Sequence, residues 1–264
     1  MTRVSTRNLA DLRFPEVARL ITNRSVIIQP IGAIEQHGPH LPLATDWIIA
    51  AHTAAATVEA LNEDLDVWLL PPIAYSKSEE HHWAPGTISL TEESFRGVVR
   101  DVSRSVAKTA ARRIVFHNGH GGNSAMLGSL LRDVRLDTGL MTFLTHPSLP
   151  ADQGGTADDG TSELGMGIHA GFAETSMMLY LRPDLVSMAD VVRNVPEWLA
   201  TNEHVRFGGS ARFGWLSNDF GPSGVIGDPT GANAPAGRAM FEASVAEFAA
   251  TLEEISRFSF SAGR

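Results

Sequence analysis

Residues 25–34 (SVIIQPIGAI) form a short, continuous apolar run rich in β-branched side chains and closed by glycine and polar residues. That pattern predicts a strand buried on both faces. Residues 45–61 bring alanines and apolar positions at helical spacing with no internal Gly or Pro, which predicts a helix, and residues 67–70 predict a second strand stopped by a Pro-Pro pair. The alternation then repeats. Residues 90–111 carry a helical pattern with Thr91 as N-terminal cap ahead of two glutamates, and residues 113–116 form a strand that runs into the loop HNGHGGN. A helix over 124–136, a strand over 140–144 and an Ala/Phe/Val-striped helix over 239–255 complete the series. Strands alternating with helices predict an α/β protein, a three-layer α/β/α sandwich with a mainly parallel sheet. Residues 151–167, rich in Gly and acidic residues, and residues 202–236, rich in Gly, Pro, Asn and Ser, break the alternation and read as long loops. Segments of that kind often carry function. With no repeat and no linker between composition regimes, residues 1–264 are expected to form a single domain.

Composition narrows the chemistry. The 264 residues are 43% hydrophobic and 19% charged, an ordinary globular make-up. With 21 Lys+Arg against 30 Asp+Glu the formal charge is -9, so the attraction that draws basic proteins to nucleic acid or anionic membranes is absent, and neither is an expected partner. The first residues lack the apolar core of a signal peptide and no run approaches the roughly 18 apolar residues of a membrane span, so the expected location is cytoplasmic. Cysteine is absent, which excludes thiolate nucleophiles and Cys-based metal sites; any metal must be held by carboxylates and by some of the ten histidines.

The densest polar constellation is Glu35-Gln36-His37-Gly38-Pro39-His40 with Asp46, at the carboxyl end of the first strand. Glu35 and His37, two apart, project to one face, and Pro39 and Pro42 restrict the loop that returns Asp46 toward them. Carboxyl ends of strands are where ligands gather in doubly wound sheets. Alone, Thr45 and Asp46 would read as a helix cap. The second constellation, His117-Asn118-Gly119-His120-Gly121-Gly122-Asn123, is again a strand-to-helix turn. Such a turn can cradle phosphate, but there is no Lys-Ser/Thr and no G-x-G-x-x-G spacing, and imidazoles beside the glycines suit Zn, Mn or Fe better. His120 lies in the turn, whereas His117, still in strand register, reads as a core or supporting histidine. A third run, His169-Ala170-Gly171-Phe172-Ala173-Glu174-Thr175-Ser176, opens an apolar helix. Glu174 could favour that helix start through its charge or, with His169, present a further ligand and a proton shuttle. A fourth, Ser78-Glu79-Glu80-His81-His82-Trp83 with Pro85-Gly86-Thr87, suits a substrate-lining loop, with Glu79 and His82 reading as solvated surface.

At these residues the sequence resembles the creatininase (creatinine amidohydrolase) family. The resemblance rests on Gly32 to Pro42 with Asp46, on Asn118 to Asn123, on Ser78-x-Glu80-His81 with Pro85 to Leu90, on His169-Ala170-Gly171 with Glu174-Thr175-Ser176, and on Gly227-Asp228-Pro229. It implies a three-layer α/β/α fold, a homo-oligomer that is usually a hexamer, and one or two divalent metal ions of the Zn, Mn or Fe type. Residue by residue, Glu35 and His120 would hold one ion, His37 the other, and Asp46 would bridge both. His169 would act as acid/base near the leaving nitrogen. Creatinine-hydrolysing members carry a Glu where this chain has Gly122, so Glu174 is the candidate to complete the second ion's shell, or the site is mononuclear.

The resemblance also implies a metal-dependent amidohydrolase cleaving a small-molecule amide, a cyclic amide or formamide, through water whose pKa the ion lowers toward about 7. Ser78, His81, Gly121 and Gly122 would contact substrate, the glycines offering backbone N–H groups to the developing oxyanion. Creatinine-specific members place aromatic and acidic residues where this chain has Gly121, Gly165, Met166 and Ile168. The expected substrate is therefore not creatinine, and Trp83, Phe172 and Trp215 are the aromatics available to line a wider cavity. The HGGN form resembles branches acting on other amides, formamidopyrimidine deformylases or the peptidase that trims the mycofactocin precursor peptide. The alternative functions are accordingly a peptidase on a modified precursor peptide and a non-catalytic nucleotide- or metal-binding protein.

Overall fold

The computed structural model describes residues 6–147 and 162–260. Its centre is a four-stranded, wholly parallel sheet in the order β2-β1-β3-β4. The strands are β1 (Val26–Ile31), β2 (Val67–Leu69), β3 (Arg113–Asn118) and β4 (Met141–Thr145). The helices are α1 (Phe14–Leu20), α2 (Thr45–Ala60), α3 (Glu92–Ala107), α4 (Ser124–Thr138), α5 (Phe172–Leu181), α6 (Glu197–Ala200) and α7 (Ala234–Arg257).

The continuous apolar strands are explained by burial on two sides. Ile27, Ile31, Ile114 and Phe116 pack on one face with Phe95 and Val99 of α3 and Met126, Leu127 and Leu130 of α4. Val26, Ile28 and Val115 pack on the other with Ala54 and Val58 of α2 and Phe248, Leu252 and Ile255 of α7. Each such side chain contributes about 1.5–3 kcal/mol by leaving water. The predicted three-layer α/β/α sandwich is present, with α5 packed outside against α7 and α2.

Element boundaries differ from the expected ones where polar geometry overrides the apolar pattern. The helix expected over 90–111 runs only from Glu92 to Ala107, because Thr91 caps it by accepting the Ser94 N–H and its last carbonyls are taken up by Lys108 and Thr109. The last helix starts earlier than residue 239: Asn233 accepts the Ala236 N–H and Pro235 occupies the first turn. Residues 202–236 are irregular up to that point and contain two short 3₁₀ turns, Ser217–Asp219 and Pro229–Gly231. Most of the other expected loop, residues 151–161, lies outside the described residues.

The order β2-β1-β3-β4 places a switch point between β1 and β3. The chain leaves β1 toward α2 on one face and leaves β3 toward α4 on the other, so a crevice opens at their carboxyl ends. Both predicted histidine-bearing motifs lie there, since β1 and β3 run side by side to Ile31 and Asn118.

Candidate metal centre

Two glycines set how closely α2 approaches these strand ends. A Cβ on Gly32 would stand 2.5 Å from Trp47 N and 2.9 Å from the Asp46 carbonyl carbon, and one on Gly119 would stand 2.8 Å from Asp46 O and 2.9 Å from Ala50 Cβ. Only glycine lets the first turn of α2 sit against both strand ends. The intervening loop closes with the Glu35 N–H donating to Leu43 O at 2.9 Å, and the Thr45 hydroxyl donates to Pro42 O at 2.7 Å. The Asp46 side chain is thereby freed from capping and turns inward.

There it meets both motifs. Asp46 Oδ1 lies 3.0 Å from His37 Nε2 and its Oδ2 lies 2.9 Å from His120 Nδ1, which is also 3.2 Å from Glu35 Oε2. Glu174 Oε2 lies 3.9 Å from His37 Nε2 and accepts the Ala170 N–H at 2.6 Å. Among the described residues three groups could each enclose an ion: Glu35/Asp46/His120, His37/Asp46/Glu174 and Glu35/His37/His169. Asp46 belongs to the first two.

The donor set fits a divalent ion. His120 Nδ1 stands close to two carboxylate oxygens, yet buried Glu35 Oε2 and Asp46 Oδ2 have no hydrogen-bond partner. Buried polar atoms are normally paired. Lone pairs that converge without hydrogen bonding are satisfied by a cation between them, and imidazole with carboxylate suits Zn, Mn or Fe.

Electrostatics agree. Burial opposes charge on His37, but Asp46, Glu174 and Glu35 outweigh it and lift the imidazole to about 10. His120 is likewise raised well above its ordinary value, burial being overcome by Glu35, Asp46 and Glu80. Burial resists ionisation of Asp46 too, yet His37 and His120 hold it well below the usual carboxylate range. Without an ion, protons on two imidazoles supply the positive charge that the carboxylates demand. Desolvation lifts Glu174 to about 7 against the pull of His37, with Asp46 and Glu35 adding to the rise.

His169 lines the same cavity, its ring 4.0 Å from that of His81 and 4.2 Å from that of His37. Burial, then His81 and His37, push it well below its ordinary value, so it is neutral at pH 7. Its Nε2 lies 2.7 Å from Gln36 O, to which it donates, which turns Nδ1 toward Glu35 Oε1 at 3.8 Å. His81 Nδ1 accepts from the Gln36 amide at 2.8 Å, and its Nε2 faces Glu35 Oε1 at 3.4 Å. Between His169 and Glu174, Ala170 is held at a φ of 54° although it bears a Cβ. Strain of that kind, of order 1–3 kcal/mol, persists at functional sites because the surroundings impose it.

A cavity of about 440 Å³ opens onto this centre. Glu35, Asp46, His81, His120, Gly121, Gly122, His169 and Glu174 all line it. Ser78 does not: it is fully buried beneath the 3₁₀ turn Glu79–His81, so the expected substrate contact is not made. Trp83 and Phe172 also stay off the wall, Trp83 because its indole N–H donates to Ser217 Oγ at 2.7 Å; Trp215 is there as expected, joined by Phe213. His117 is a core residue, stacked 4.1 Å from Phe248 and bonded to Thr145 at 3.0 Å. His40 is bonded to Thr175 at 2.9 Å, away from the three groups. Sequence reasoning missed Lys77 and His146 in the wall, and Glu80, read from sequence only as part of the Ser78-x-Glu80-His81 motif without a role of its own, lines it too. Neither Lys77 nor His146 stands in a motif whose spacing points inward.

Comparison with known proteins agrees with this geometry. The family model for creatinine amidohydrolase, Creatininase, matches residues 10–252. The chain is 36% identical over 222 residues to the mycofactocin precursor peptide peptidase of Mycolicibacterium smegmatis, covering 82% of this chain and 79% of the relative. It is 31% identical over 195 residues to the creatinine amidohydrolase of Pseudomonas putida, covering 68% of this chain and 73% of that one. A solved structure described as creatininase with Mn superposes with a TM-score of 0.73 at 25% identity, covering 95% of this chain and 98% of that chain. The chain belongs to the creatininase family of amidohydrolases.

Proposed function

We propose that this protein is a metal-dependent hydrolase that cleaves an amide bond near the end of a peptide. The observation that carries the reading is the pair of His/carboxylate groups sharing Asp46 at the floor of an open cavity. Glu35, Asp46 and His120 would hold one divalent ion, and His37, Asp46 and Glu174 a second, of the Zn, Mn or Fe type. Such ions, when bound, polarise the amide carbonyl and acidify water.

The remaining steps belong to the chain. His169, neutral and in the cavity wall, would take on Nδ1 the proton lost by the attacking water, where Glu35 favours the resulting charge, and deliver it to the leaving nitrogen as the C–N bond breaks. Gly121 and Gly122 stand in the wall just before α4, where backbone N–H groups lack helical partners and can meet a developing oxyanion.

A peptide end, rather than the small cyclic amide or formamide that shares this chemistry, is supported by the precursor peptide peptidase relatives. It is also supported by the wall: Gly121 has open space where a side chain would project, and Phe213 and Trp215 offer apolar surface. The test is mass spectrometry of metal-replete protein incubated with peptides of varied carboxyl-terminal sequence, with formamides and creatinine alongside. Cleavage confined to peptides is the expected result. Turnover of formamide or creatinine with every peptide intact would overturn the peptide assignment while leaving the metal centre standing.

A further inference from the structure

We propose that Glu80 is a positioning residue for the metal centre: its carboxylate accepts the Nε2–H of His120 and so leaves Nδ1 as the ligating nitrogen, and Gly122 is the residue whose missing side chain gives that carboxylate room. The inference rests on the metal-dependent reading above and adds to it a residue outside the three ligand groups.

An imidazole can serve an ion through one nitrogen only if the other is satisfied elsewhere, and that second contact fixes tautomer and ring angle. His120 presents Nδ1 to Glu35 and Asp46. Its Nε2 is buried without a hydrogen-bond partner, and the carboxylate facing it, at 3.4 Å, is Glu80 Oε1. The distance is slightly long for a hydrogen bond, and a small rotation of either side chain, such as ion binding at Nδ1 would demand of the ring, closes it.

Glu80 is placed for this by its own turn. The Ser217 hydroxyl donates to its carbonyl at 3.2 Å, and the 3₁₀ turn Glu79–His81 sets consecutive side chains about 120° apart. Glu79 is 56% exposed and pairs with Lys77 at 3.2 Å, whereas Glu80 is 12% exposed and faces the histidine. A largely buried carboxylate facing an imidazole in a cavity wall is placed to act on that imidazole.

Gly122 completes the arrangement. A Cβ built there falls on Glu80 Oε1, 2.8 Å from its Cδ and 2.5 Å from His120 Nε2. The neighbouring Gly121 would meet nothing within 4 Å. Gly122 does not adopt a positive φ, so space rather than backbone freedom is what the position requires.

Zn²⁺ affinity of the full chain, measured by competition with a chromophoric chelator, tests the proposal in Glu80→Ala, Glu80→Gln, Gly122→Ala and the Glu80→Ala/Gly122→Ala double variant. Loss of a carboxylate that orients a metal-bound imidazole weakens affinity about 10–100-fold. That loss is expected for Glu80→Ala and for Gly122→Ala. Glu80→Gln should recover most of it, since an amide oxygen accepts the same N–H, and the double variant should bind no worse than the weaker single one. The absorption bands of the Co²⁺-substituted protein should move in Glu80→Ala and stay in Glu80→Gln. Wild-type affinity in Glu80→Ala, or losses that multiply in the double variant, would overturn the proposal with the metal centre intact. A wild-type chain that binds no Zn²⁺ would overturn both.

Discussion

Replacing Asp46 with asparagine keeps the shape of the side chain and removes the one anion common to both ligand groups. Its oxygens stand 3.0 Å from His37 Nε2 and 2.9 Å from His120 Nδ1. On the proposed arrangement each of these oxygens would face one ion, and a contact to a charged group contributes about 1.5–3 kcal/mol, so weakening two would cost about 3–6 kcal/mol of metal binding, about 10²–10⁴-fold. His40→Asn is the matched control. His40 is also buried, in the loop that precedes α2, but its Nε2 is bonded to Thr175 and burial, with His37, holds it near 4 and neutral. That substitution should cost about 1–3 kcal/mol of stability and leave metal affinity within a few-fold. Chelator competition with Zn²⁺ reads the affinity, and thermal unfolding followed by circular dichroism reads the stability. An Asp46→Asn protein that binds within tenfold of wild type, or a His40→Asn protein that loses as much affinity, would refute the shared-carboxylate arrangement.

Metal affinity should rise with pH. In the ion-free fold His37 is raised from 6.5 to about 10, so its bound proton stabilises that fold fully below 6.5, and this contribution fades as pH climbs through about 10. A ligating imidazole must shed the proton, so affinity should gain about tenfold per pH unit for each proton displaced, and a flat profile between about pH 6.5 and 9 would contradict the assignment. Gly32→Ala drives a Cβ into Trp47 and should lower the melting temperature and release metal together, whereas Gly97→Ala in α3, which would meet nothing within 4 Å, should stabilise by up to about 1 kcal/mol; equal melting temperatures for the two would refute the close approach of α2. We further propose a closed homo-oligomer, a hexamer by family resemblance, which covers large exposed apolar residues such as Phe14, Leu136 and Trp198; sedimentation showing monomer alone at micromolar concentration would rule it out.

The strands were legible because a parallel strand between two helical layers must be apolar on both faces, and β1 and β3 are buried along their whole length. Helix α1 was not legible: seven residues beginning with an 84%-exposed Phe14 offer too short a stripe to separate from a loop. The same division holds at the site. Glu35, His37 and Asp46 are local to one loop, and His120 is local to the next strand end, so spacing alone announced them. Glu79 and Glu80 are adjacent and chemically identical in the sequence. Sequence pattern already sets Glu79 on the surface and Glu80 in a motif, but that Glu80 faces His120 is decided by the turn they occupy, tied to Ser217 far along the chain. Lys77, His146 and Phe213 reach the wall in the same way, by tertiary placement of segments with no inward-pointing pattern of their own.

That distribution bears on how the centre is built. The ligands arise from strand ends and from a helix start seated against Gly32 and Gly119, positions set by the packed core rather than by an ion. Four carboxylic groups, Glu35, Asp46, Glu80 and Glu174, crowd one cavity; burial lifts Glu35 and Glu174 toward the neutral form, and the charge that remains needs compensation. Compensation is available without a metal, because the same carboxylates raise His37 and His120 until both hold protons at neutral pH. Ion binding at this centre would therefore be an exchange of protons for a cation within a preformed frame. On the proposed function, a preformed frame would also keep the ring of His169 at a fixed place in the cavity wall, as proton transfer to a leaving nitrogen would require.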